Sequence, residues 1–126
     1  MYSIREQVKS ILSKPFEDYN LNDIVQASNL KSQLGQQVAQ AEADYLYAEQ
    51  LRKKEYAKYM ILSKADWGTI ADREAEATLH IADLKAEEIK AYADYKAKKL
   101  FYDDLSDQVT AMRMCNRIYQ QASNDG

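Results

Sequence analysis

The chain has 126 residues, 29% of them charged, and a net charge of −3, which argues against a dedicated nucleic-acid binder with its wholesale basic excess but leaves room for a local basic patch. A lone cysteine, Cys115, excludes an intrachain disulfide, and no apolar run approaches the ~18 residues of a membrane span. Three glycines, one proline and ten tyrosines against two phenylalanines, in an Ala-, Glu-, Lys-, Leu- and Gln-rich background, are the composition of long helices.

Residues 3–13 read as a short amphipathic helix, with Ile4, Val8, Ile11 and Leu12 on one face. Pro15 ends it. Asn22 or Asp23 can cap the next helix through a side-chain oxygen. That helix is predicted over 23–64, with a stripe of Ile24, Leu30, Leu34, Val38, Ala41, Tyr45 and Ala48. From Leu34 to Ala48 the steps are 4-3-4-3, a coiled-coil seam. Strict continuation would put Arg52 in the seam, so Leu51, Tyr56, Tyr59 and Leu62 predict a shift of phase. Gly35 lies inside this helix, where glycine costs about 1 kcal/mol relative to alanine; a close helix crossing would account for it. Trp67-Gly68 marks a tight turn between Lys64 and Thr69, and Thr69-Ile70-Ala71-Asp72 reads as a capping box. A second long helix is predicted over 70–121, followed by a frayed tail at 122–126.

The predicted fold is all-α: one domain over 1–126, a long antiparallel helical hairpin of coiled-coil type with a short N-terminal helix. Folding about Trp67 sets Leu34 against Leu100, Leu30 against Leu105, Val25 against Val109 and Leu21 against Met112. The same register sets Lys58 against Glu76 and Asp44 against Lys90. Apolar residues between Phe101 and Ile118 cover more than half of the helix circumference, which predicts more than one neighbour. The helix over 3–13 is one and a second copy of the chain is another. The expected oligomer interface is Leu30, Leu34, Phe101, Leu105, Val109 and Met112.

Chemistry-bearing motifs are sparse. Glu76, His80, Asp83 and Glu87 share a helix face, but no second element supplies converging ligands. They read as a solvated charged face. No catalytic residue, metal or cofactor is assigned, and no phosphate-binding glycine loop exists. Cys115 reads as a small buried hydrophobe suited to a reducing cytoplasm. The basic residues form the candidate site. Arg52, Lys53, Lys54 and Lys58 cluster on the first long helix, and Lys90, Lys96, Lys98 and Lys99 on the second. Tyr47, Tyr56, Tyr59, Tyr92 and Tyr95 are interleaved with them. Cationic grooves with aromatic platforms hold single-stranded nucleic acid. Arg113 and Arg117, beside Tyr119, form a second small basic site.

Thr69, Arg73, Glu74 and Ala75 open a Tyr/Ala/Lys helix over Tyr92–Lys99, which ends in the segment Tyr102, Leu105, Val109 and Arg113. This succession resembles small helical accessory proteins of tailed bacteriophages. Its end segment is similar to that of the recombination mediator of T4-like phages, an oligomeric helical protein that loads a recombinase on single strands. The resemblance implies a non-enzymatic, oligomeric accessory of phage DNA replication or recombination in the host cytoplasm, binding single-stranded DNA or a recombination enzyme. The alternative is a protein-interaction module, an adaptor or inhibitor of a host or phage enzyme, without nucleic-acid binding.

Overall fold

A computed structural model describes residues 3–65 and 68–125. These residues form four α-helices and no strand. Helix α1 is Ile4–Leu12, α2 is Leu21–Leu62, α3 is Ile70–His80 and α4 is Ala82–Asp125. Short 3-10 turns at Phe16–Asp18 and Ser63–Ala65 follow α1 and α2. Trp67, expected in the tight turn, lies outside the described residues. Gly68 has a φ of +149°, a conformation that residues with a Cβ rarely adopt.

The helix starts follow from local hydrogen-bond chemistry. Ser3 and Glu6 form a capping box on α1, and Thr69 and Asp72 form the predicted one on α3; each pair satisfies two orphan N–H groups. The cap of α2 lies upstream of both predicted residues. The Asn20 side chain accepts from the Asp23 N–H, and the Asp23 carboxylate accepts from the Asn20 N–H. The predicted continuous helix over 70–121 is interrupted at Ile81. The Ile81 N–H still donates to Ala77, and its carbonyl still accepts from Lys85, so the interruption is confined to one buried residue. The expected frayed tail is helical as far as Asp125.

Two compact units contain these helices: Met1–Val38 with Ala97–Gly126, and Ala39–Lys96. In the first, α1 covers the antiparallel pair of α2 and α4. Its core is Val8, Ile11, Ile24, Ala27, Leu30, Leu34, Leu105, Val109 and Met112, with Ile4, Leu12, Tyr19, Phe101 and Tyr102 packed around it. Gly35 permits close approach here, since a methyl at that position would stand 3.2 Å from the Tyr102 ring. Two polar contacts tie α1 and its connection to α2: Lys14 Nζ lies 2.9 Å from the Asp23 carboxylate, and the Tyr19 hydroxyl donates to the Leu12 carbonyl.

The second unit has a thinner core. Its buried apolar residues are Ala41, Ala77 and Ile81. Tyr45 fills the space that alanines leave, lying edge-on to Tyr92 at 5.0 Å and stacked on Tyr95 at 6.2 Å. Aromatic pairs at such distances contribute beyond their buried area.

The predicted pairing register is corrected in the first unit, although Leu30 and Leu105 do share its core. Leu21, Val25 and Leu100 are exposed instead of facing Met112, Val109 and Leu34. In the second unit Glu76 accepts from the Tyr59 hydroxyl, one residue from its expected partner Lys58, and the Asp44 carboxylate accepts from Gln40 within its own helix. The expected phase shift after Ala48 is also corrected: Arg52 does point into the seam, where Glu88 receives it.

Candidate functional site

The ten basic candidates divide between the two units, with Arg52, Lys53, Lys54, Lys58, Lys90 and Lys96 in the second. In the second unit, the Arg52 guanidinium makes a two-pronged contact with the buried Glu88 carboxylate. Glu88 also has Lys85 Nζ at 3.7 Å. Arg52 is therefore part of the helix seam, and its guanidinium is held protonated by Glu88. Lys53 pairs with Glu49 one turn away at 2.9 Å. That lysine, together with the Tyr45 hydroxyl, holds the Glu49 carboxyl below its usual range, while Glu49 pushes the Tyr45 phenol upward. Lys96 sits over the Tyr92 ring at 5.5 Å. Lys54 and Lys58 are exposed, and neither pairs with a carboxylate among the described residues.

Lys98, Lys99, Arg113 and Arg117 belong to the first unit. Arg113 donates to the Ser28 hydroxyl; Lys99 and Arg117 are exposed, and Lys98 is half-buried. At about 100° per residue, Arg52, Lys53 and Lys54 point in three directions, and only Lys54 and Lys58 share a face of α2. Sequence proximity placed the four in one cluster; helical geometry separates them.

Most of the interleaved tyrosines are packing residues. Tyr92 and Tyr95 flank Tyr45, and Tyr59 stacks on His80 at 4.7 Å. Tyr47, in contrast, is 71% exposed.

The residues expected at an oligomer interface lie in or beside the core of the first unit. Leu30, Leu34, Leu105, Val109 and Met112 are each at most 5% exposed within a single chain. Phe101 is half-buried with the Arg5 guanidinium 5.0 Å over its ring. Together α1, α2 and α4 cover these side chains, so they are the chain's own core.

Sequence reasoning missed the Arg52–Glu88 pair, although the unbroken heptad count had placed Arg52 in the seam. It also missed an open cleft of about 630 Å³ beside α1, where Gln7, Gln26, Asn29 and Gln33 surround Ile11 and Leu30. Among the described residues no group of three His, Cys, Asp or Glu could hold a metal ion, and no helix is long and apolar enough to cross a membrane. Cys115 is half-buried and free. No family model matches the chain, and no curated protein or solved structure matches it.

Proposed function

We propose that this chain is a non-enzymatic helical protein-interaction module, an adaptor or inhibitor that docks on an enzyme of phage DNA metabolism. The observation that carries this reading is the division of its side chains. Two buried carboxylates are paired within the chain, Glu88 with Arg52 and Asp23 with Lys14. Large apolar residues instead stand on the surface, among them Leu46, Tyr47, Ile61, Leu62, Ile89, Leu100 and Ile118. Exposed apolar side chains gathered on one face mark sites of association. The resemblance of the Thr69–Arg113 segment to phage accessory proteins supports the setting.

Direct binding of single-stranded DNA has weaker support, because Arg52 and Lys53 are paired with carboxylates and Tyr59, Tyr92 and Tyr95 stack on rings of the chain itself. Self-association through the exposed faces is part of the proposal, whether as a coiled-coil dimer or a higher oligomer. Affinity purification from cells that carry the gene tests the module. The expected result is a stoichiometric protein partner that survives nuclease treatment. Recovery of nucleic acid alone, with salt-sensitive binding of a labelled oligonucleotide, would overturn it.

A further inference from the structure

One face of α2 in the second unit has a pattern that neither the fold nor the dispersed cations explain. Tyr47, Leu51, Lys54, Lys58 and Ile61 follow one another at steps of 4, 3, 4 and 3, so they form a straight stripe along the helix. Leu62 extends its apolar end. The stripe lies away from the seam side, which Arg52 marks by its contact with Glu88. Tyr47, Ile61 and Leu62 are 71%, 72% and 69% exposed. Leu51 is half-buried, and both lysines are exposed.

No carboxylate falls on this stripe. Glu49 projects toward Tyr45 and Lys53, which it contacts, and Glu55 lies about 80° off the stripe's midline at 100° per residue. The surface is therefore apolar at both ends and cationic at its centre. A 4-3-4-3 spacing is the spacing at which an opposing helix inserts its own side chains. Single-stranded nucleic acid is the poorer fit, since it needs successive aromatic platforms and the stripe has one.

We propose that the Tyr47–Leu62 stripe docks an acidic amphipathic helix of a partner protein, with apolar residues against Tyr47, Leu51 and Ile61 and carboxylates against Lys54 and Lys58. This rests on the protein-interaction reading and adds the partner's chemistry to it. Burying two lysine heads is costly without such carboxylates, so the pairing supplies selectivity.

The test uses the full chain with an 18-residue helical peptide of Leu, Ala and Glu, its glutamates one turn apart beside the apolar face. The controls are the same peptide with Lys for Glu, a 20-nucleotide oligothymidylate and anionic phosphatidylserine vesicles. The acidic peptide is expected to bind and to shift amide resonances of residues 47–62. Lys54→Glu with Lys58→Glu should weaken that binding at least ~10-fold and confer binding of the Lys peptide. Tyr47→Ala should weaken it without lowering the melting temperature, which keeps loss of fold apart from loss of contact. Binding of oligothymidylate or vesicles but not the acidic peptide would overturn the proposal. So would acidic-peptide binding that the double reversal leaves unchanged, or a reversal whose only effect is dissociation of a homo-oligomer. Capture of the same partner from lysate by the unmodified chain and by the double variant would sink this surface while leaving the interaction module standing. No capture by either would sink the module itself.

Discussion

At the residue scale, two ion pairs have different consequences. Asp23 is 4% exposed. Lys14 and the Asn20 N–H hold its carboxyl below the ordinary carboxylate range, and burial opposes them. A carboxyl depressed in the folded state stabilises fully above its unfolded pKa, and that stability is lost as pH falls through the folded pKa. Stability should therefore decline as pH falls below about 4, in urea titrations at a series of pH values. Asp23→Ala should cost about 1–2 kcal/mol at pH 7 and flatten that acid decline. Arg52 is the second case. Arg52→Ala leaves the Glu88 carboxylate buried with Lys85 at 3.7 Å as its remaining cation, at a cost of about 1–3 kcal/mol. Arg52→Met with Glu88→Leu should recover most of that loss, since an apolar pair of similar volume needs no compensating charge. Denaturant midpoints of the Arg52→Ala variant and the double variant decide it.

At the element scale, α1 and the α2–α4 pair are coupled through one core. Val8 and Ile11 supply the buried side of α1, and Leu105, Val109 and Met112 supply the facing side of α4. Leu105→Asp should destabilise by about 4 kcal/mol or more, because it puts an unpaired charge at a position 1% exposed. Loss of cooperative thermal unfolding by circular dichroism is the readout. Thr69→Ala removes one half of the α3 capping box and should cost only about 1 kcal/mol. The contrast between the two tests whether core packing or capping dominates. The caps at Thr69 and the apolar periodicity of α1 were legible in the sequence, because both depend on residues three or four apart. The cap at Asn20 was not singled out, although an Asn-x-x-Asp spacing of the same kind was present.

At the scale of the whole molecule, the exposed apolar residues predict self-association. Light scattering at micromolar concentration should give a mass above 14.5 kDa, and a strictly monomeric chain would remove that part of the proposed function. Because Leu30, Leu34 and Leu105 are buried within one chain, association should instead respond to substitutions on outward faces. Leu100→Glu and Ile118→Glu should dissociate the oligomer without lowering its helicity.

The sequence by itself determined that the described chain is helical, where α1 lies and where α3 begins, and that the Leu- and Val-rich segments of α2 and α4 build the dense core. These are local properties: propensity, capping and a periodicity near 3.6 residues. Only the tertiary structure decided the register. Sliding one long antiparallel helix past another by about one turn still sets apolar residues against apolar ones, so periodicity alone does not choose. Gly35 under the Tyr102 ring and Arg52 against Glu88 mark the register in their own units, through a close approach and a charge pair. That register buried the residues expected to form the oligomer interface. It also took Arg52 out of the basic cluster read from the sequence and into the seam against Glu88, while Lys54 and Lys58 stay on an outward face with Tyr47.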